Sequence, residues 1–301
     1  NAMSKALIKQ LIEEKVENSG LYDTGIDGVQ LFKITQPIEC APVVYEPSLT
    51  AIVHGGREAI MNGNKHTFDT SKYTCCTMSM PVEAGIPDAS EESPLLGVYI
   101  SLNSRLMTDL AIEFESVGGN FSQSSASSAP SGIASARWDA DFTDALYRLL
   151  LITDNATDIA MLASTRLREL YYSVLKGEAG STVIGSFGVG NAIGRAIEYL
   201  ASHVNENVTI DDMASKIGMS KAVFHRKFKQ ATTMSPIQFV KSMRLNNAAK
   251  RIAEGTNVSV AAMDVGYISS SQFSRDFKRM YGLSPKQWEK ENKAKAAAML
   301  Q

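Results

Sequence analysis

The chain has 301 residues, 44% hydrophobic and 21% charged, with a formal net charge of -2. This is more length than one ordinary domain uses and enough apolar material for two cores, while no apolar run approaches the ~18 residues of a membrane span. Charge is unevenly spread: from Gly190 onward Lys and Arg number 17 against 9 Asp and Glu, and before it 13 against 23, so only the C-terminal part suits a polyanion.

Asn1 and Ala2 ahead of Met3 have the look of a tag-cleavage remnant, and no signal-peptide pattern is expected at the start. A first helix is expected from Ser4 to Asn18, with Ile8, Leu11, Ile12 and Val16 on one side and Gly20 past its end, either facing solvent or docked. From Gly28 to about Leu102 the texture changes to short apolar segments: Val29 to Thr35, Val43 to Tyr45, Leu49 to His54, Arg57 to Met61, Lys65 to Phe68, Tyr73 to Met80 and Gly97 to Leu102. Asn62-Gly63 is a hairpin signal, and prolines punctuate the rest, which predicts a small antiparallel barrel or sandwich.

Chemistry in this region is sparse. His54 and His66 stand 12 apart without the paired histidines that a metal-binding barrel needs, so no metal and no other cofactor is expected. Glu83, Glu91 and Glu92 read as loop charges. Three cysteines, Cys40, Cys75 and Cys76, are too few for a disulfide framework and favour a reducing cytoplasm. Cys75 and Cys76 alternate faces on a strand, so at most one points inward; they are the weak candidates for an effector contact, against buried inert thiols.

The helical period returns with Leu106, Leu110, Ala111 and Phe114, then from Phe142 to Leu151 and from Ile159 to Leu175. Gly118 to Ala136, rich in Ser, Ala and Gly, is expected to be a mobile loop, and Gly177 to Gly190, with five glycines, a linker partly docked through Ile184, Phe187 and Val189. Its glycines lack the Lys-Ser/Thr of a phosphate loop.

Beyond the linker one helical unit occurs twice. Ile210, Met213, Ala214, Ile217, Gly218, Met219, Phe224, Arg226, Phe228, Lys229, Ser235 and Pro236 reappear as Val258, Ala261, Ala262, Val265, Gly266, Tyr267, Phe273, Arg275, Phe277, Lys278, Ser284 and Pro285. Each copy reads as helix, tight turn, helix. In the second helix of the first copy Phe224 and Phe228 face in, leaving Ala222, His225, Arg226 and Lys229 outside; in the second copy Ser271, Arg275 and Lys278 face out. A helix buried on one side and cationic on the other is what major-groove reading requires. Ser235-Pro236 opens a connecting helix that ends at Gly255, long enough at ~1.5 Å per residue to hold two readers near one DNA turn of ~34 Å.

The region resembles the DNA-binding module of the AraC/XylS family of transcription regulators, on Ile217-Gly218-Met219-Ser220, Phe224, Arg226, Phe228-Lys229, Gly266-Tyr267, Phe273, Arg275, Phe277-Lys278, Gly282 and Pro285. Carried over by position, the family's base contacts fall on Ala222, His225, Arg226, Ser270, Ser271 and Arg275; Lys229, Lys278 and Arg279 are expected at phosphates. Thr35-Gln36-Pro37-Ile38, Tyr45 to Leu49 and Ala89 to Leu96 resemble the cupin-type N-terminal domain of one subgroup, which implies a small effector or dimerisation.

The expected fold is α+β and multidomain: N-terminal helix 1–20, cupin-like β-barrel effector domain 21–105, helical segment 106–176, linker 177–190 and an all-α double helix-turn-helix 191–293. The expected function is sequence-specific binding of double-stranded DNA under control of a small molecule, without enzymatic activity and without a membrane. RNA polymerase as a further partner and a homodimer through the helical segment stay open. The alternative is a cupin-type metal-dependent enzyme with a nucleic-acid-binding appendage, and a third reading makes the repeats a protein-binding surface.

Overall fold

The computed structural model describes residues 2–120 and 132–299. Helix α1 (Ala2–Lys15) leads into nine strands, β1 (Gly20–Asp23), β2 (Val29–Ile34), β3 (Ile38–Tyr45), β4 (Ser48–His54), β5 (Arg57–Met61), β6 (Asn64–Phe68), β7 (Lys72–Cys76), β8 (Met80–Ile86) and β9 (Leu95–Ser101). Then come α2 (Ser104–Ser116), β10 (Ile133–Arg137), α3 (Ala140–Leu151), α4 (Ala156–Lys176) and α5 (Gly180–Phe187). The remainder is helical: α6 (Ala192–Ser202), α7 (Ile210–Lys216), α8 (Lys221–Thr232), α9 (Pro236–Ala253), α10 (Val258–Asp264), α11 (Ser270–Tyr281) and α12 (Pro285–Met299).

The strands form two antiparallel sheets, β1-β2-β9-β4-β7-β10 and β3-β8-β5-β6. The larger one is covered on both faces. Leu31, Leu49, Tyr73, Cys75, Val98 and Ile100 pack against α1 to α5, whereas Phe32, Ile52, Cys76, Leu95 and Ile133 meet Ala59, Met61, Phe68, Met80 and Val82 of the smaller sheet. That explains why β4 is buried over six consecutive residues, Ser48 and Thr50 included: a strand between two apolar layers has no face towards solvent. The first helix docks, with Ile8 and Ile12 fully buried against α3 and β4.

The structure departs from the sequence expectations at several places, among them these. The segment read as Tyr73 to Met80 is two strands, β7 and β8, and β8 continues through Pro81. Proline is tolerated because Pro81 pairs only with Val44 of β3, while pairing to β5 begins at Glu83, so no ladder donor is missing on that side. The stretch read as a mobile loop contains β10, which pairs with β7 from Ile133 opposite Cys76 to Arg137 opposite Lys72; residues 121–131 of that expectation lie outside the described residues. The glycine-rich linker contains helix α5, with Val183 and Phe187 buried, so only its ends are turns; Val189 is exposed rather than docked.

In the C-terminal part, α9 runs 18 residues from a capping box in which Ser235 and Gln238 bond each other's backbone, with Pro236 at its first position. Phe224, Phe228, Phe239 and Met243 form the core of the first unit, and Leu245, Ala248, Ile252, Phe273 and Phe277 that of the second. The α9 helix also touches β3 and β8, and α11 touches β3, so the repeats lean on the outer sheet. The two units end their second helices alike, with a left-handed residue closing on the carbonyl of Lys229 or Lys278. In the second unit that residue is Gly282 (φ 77°); in the first it is Thr233 (φ 67°), a β-branched residue in a region it enters at ~1–2 kcal/mol. Thr233→Gly is therefore expected to stabilise the chain by roughly 1 kcal/mol despite the added backbone freedom, read as a higher urea midpoint at unchanged slope.

Candidate nucleic-acid interface

Each helix-turn-helix is built on the same local device. Gly218 (φ 69°) and Gly266 (φ 95°) turn the chain after α7 and α10, and Ser220 and Ser269 cap α8 and α11 by accepting from Val223 and Gln272. With the phenylalanines buried inside, Ala222, Arg226 and Lys229 are exposed on α8, and Ser270, Ser271, Arg275, Lys278 and Arg279 are exposed on α11. His225 differs from its neighbours: it is half-buried beside Phe224, and its Nε2 is buried without a hydrogen-bond partner. As folded here that nitrogen is not offered to a base.

The arginines are held differently. No hydrogen bond or ion pair holds Arg226 among the described residues. Arg275 is oriented by a relay that begins in α9. Lys241 pairs with Asp276 at 3.0 Å, Gln272 Nε2 donates to the same carboxylate at 3.0 Å, and Arg275 Nη2 donates to Gln272 Oε1 at 2.9 Å. The Tyr267 hydroxyl, from the turn, donates to Asp276 Oδ2 at 3.1 Å. Burial alone would raise the Asp276 carboxyl, but the hydrogen bonds from Lys241, Gln272 and Tyr267, with the charge of Lys241, outweigh it and hold it below the ordinary carboxylate value. Asp276, Gln272, Tyr267 and Lys241 were not among the sequence-derived site residues. The available signal was an acid next to Phe277 on the apolar face of an otherwise regular amphipathic helix.

The effector candidates separate as strand alternation requires. Cys75 packs among the helices and Cys76 between the sheets, where its thiol donates to the Met78 carbonyl at 3.1 Å. Burial raises both thiols, Cys76 to about 12 and Cys75 further still. Cys40 is exposed on β3. For the metal-enzyme alternative, no group of three or more His, Cys, Asp or Glu side chains converges among the described residues, and His54 Nδ1 is taken up by the Pro94 carbonyl at 2.7 Å. No described helix is long and apolar enough to cross a membrane.

A two-sheet domain joined to paired helix-turn-helix units on one connecting helix is the architecture of a one-chain transcription regulator. Comparison with known proteins agrees. The family model for the AraC-type transcriptional regulator N-terminus matches residues 25–182, and one for a helix-turn-helix domain matches residues 213–291. The chain belongs to the AraC-type transcriptional regulators. It is 28% identical over 146 residues to the raffinose operon transcriptional regulatory protein RafR of Pediococcus pentosaceus, covering 48% of this chain and 52% of that one. With the HTH-type transcriptional regulator MtrA of Neisseria gonorrhoeae it shares 33% identity over 33% of each chain, and with the regulatory protein SoxS of Salmonella typhimurium 32% over 30% of this chain and 84% of that. The match thus spans about half of RafR and a third of MtrA. The fold is similar to that of ToxT from Vibrio cholerae, with a TM-score of 0.54 at 12% identity over 87% of this chain and 97% of that one. ToxT with unsaturated fatty acid bound gives 0.53 at 12% identity, over 91% and 96%.

Two outcomes follow from this geometry. Because the folded pKa of Asp276 is lowered, its stabilising contribution is fully present above the unfolded value of ~3.9 and is lost as pH falls through the lower folded one. The difference in Tm between the native chain and Asp276→Asn should hold level between roughly pH 5 and 8 and shrink below about pH 4. Iodoacetamide at neutral pH should label Cys40 on the native chain, and Cys75 and Cys76 only after unfolding, as mass spectrometry of the labelled peptides would show.

Proposed function

We propose that this regulator binds double-stranded DNA by laying α8 and α11 in two successive major grooves, under the control of a small effector held in the two-sheet domain. The observation that carries this reading is the pair of exposed cationic helix faces mounted on one 18-residue helix, α9. At 1.5 Å per residue α9 is ~27 Å long, and the radii of the attached helices bring the readers towards one duplex turn. Arg226 and Arg275 are the base readers, with Ala222, Ser270 and Ser271 close enough in size for methyl or hydroxyl contacts to base edges; His225 assists only if its ring swings out. Lys229, Lys278 and Arg279 neutralise phosphates.

Effector control is supported by the likeness to ToxT, a protein of this fold that has been solved with unsaturated fatty acid bound. A regulator seated at a promoter acts by helping or hindering RNA polymerase, and we infer that enzyme as the further protein partner. Homodimerisation is assigned to α2 and α4, which with Val117 just past α2 leave Ile112, Val117, Met161 and Tyr172 exposed. The three free thiols fit work in the cytoplasm, and the residues of the two-sheet domain act in binding rather than in catalysis.

Anisotropy titrations on cognate and random duplexes across a salt series test the reading. Arg226→Ala should lose ~1–3 kcal/mol on the cognate site and relax one base position, whereas Lys229→Ala should weaken every sequence alike and lower the salt slope by about 1. Equal losses for Arg226→Ala on both duplexes would remove its base-reading role.

A further inference from the structure

Between the two sheets stands a cation, Arg57, that meets aromatic rings but no carboxylate among the described residues. Arg57 opens β5 on the same face as Ala59 and Met61, which are buried in the inter-sheet core. Its guanidinium lies 4.9 Å from the centre of the Tyr45 ring and 5.4 Å from that of Phe68. Strand register sets Tyr45 opposite Met80 and Glu58 opposite Gly85, towards opposite ends of β8, so Arg57 and Tyr45 meet by reaching towards each other across the interior. Among the described residues no carboxylate pairs with Arg57. Its Nε is buried without a partner, and so is the Tyr45 hydroxyl. Glu58 points to the other face, where it pairs with Lys65 at 2.6 Å, and Glu46 accepts from Ser79 at 2.7 Å.

Two unpartnered buried polar atoms, the Arg57 Nε and the Tyr45 hydroxyl, are unusual, because such atoms are nearly always satisfied, and the half-buried guanidinium beside them favours an anion. A carboxylate answers both. Its planar fork matches the guanidinium, and one oxygen can accept from the phenol. A phosphate would bring a second charge with no second cation to meet it, and an amine would be repelled. The inter-sheet core that includes Phe32, Ile52, Met61, Met80 and Val82 suits only an apolar body, and methionines repack around irregular shapes.

We propose that the interior of the two-sheet domain binds a monocarboxylate with an apolar body, its head group on Arg57 and Tyr45. This deepens, and rests on, the reading of that domain as the effector domain. Tyr45 belongs to β3, the strand on which α9 and α11 lean, so the ligand lies one strand away from the DNA-reading unit.

Calorimetry on the full chain with octanoate, octan-1-ol and octylamine tests the assignment. Octanoate should bind saturably and about tenfold or more tighter than the alcohol, with the amine weakest. Arg57→Met should reduce octanoate to the level of the alcohol, Tyr45→Phe should cost a few-fold, and Arg57→Lys should fall between. If Arg57→Met fails to fold, Arg57→Lys and Tyr45→Phe still decide the matter. Equal binding of octanoate and octan-1-ol by the native chain, binding unmoved by these substitutions, or no saturable binding of octanoate overturns the proposal. A gel shift with and without octanoate separates it from the wider reading: Arg57-dependent binding that leaves DNA affinity unchanged keeps the carboxylate site and removes the effector role.

Discussion

The burial of α9 on several sides at once is the constraint from which the geometry of the DNA-reading unit follows. Phe239 and Met243 belong to the core of the first repeat, Leu245, Ala248, Ala249 and Ile252 to that of the second, and β3 and β8 close against the same helix. A helix held on so many fronts cannot roll about its axis without uncovering apolar surface at each of them. The directions in which α8 and α11 point are set by that immobility rather than by any contact between the two recognition helices. Arg244 adds a polar tie, its Nε donating to the Val204 carbonyl at 2.5 Å and so fastening the loop before α7 to the middle of α9.

The repeat was legible because its signals are local and redundant: a turn glycine, phenylalanines four apart and a closing Ser-Pro mark each unit in the same order. The long helix was equally plain, since Ser235-Pro236 marks its start and Gly255 follows its end. What escaped depends on tertiary context. Ile133 to Arg137 is largely alanine, serine and arginine, and becomes a strand only because the edge of β7 is there to be paired. Gly180 to Phe187 carries two glycines and no side-chain N-cap, so α5 owes its existence to the burial of Val183 and Phe187. The outward residues of α8 and α11 could be assigned by period alone, but the partial burial of His225, whose ring meets Phe224 edge to face, could not. Asp276 was hidden for a related reason, because its partners Lys241 and Tyr267 are far from it in sequence or lie in a turn.

The connection between the two halves of the molecule is polar and tightly made. Ser186 of α5 donates to Thr77 at 2.7 Å, Thr77 donates in turn to the Gly132 carbonyl, and Asn191, which precedes α6, donates to the Ser186 carbonyl. On the other side the Val189 amide donates to Glu115 of α2 at 2.8 Å. Thr77 follows Cys76, the cysteine that faces the inter-sheet core. The chain leaving the β-domain is therefore tied to the lining of that core by two consecutive hydroxyls, not by a free tether.

Strand β3 carries this coupling a step further. One side of it contributes Tyr45 to the interior, while α9 and α11 rest against the same strand from elsewhere. A pleated ribbon is a single layer thick, so its two faces cannot be adjusted separately. Excising the C-terminal third as a free-standing reader would strip away that brace and leave a bare flank along its longest helix. What such a fragment does on DNA would describe an unsupported relative of the intact molecule, in which the β-domain and the paired helix-turn-helix units share one wall.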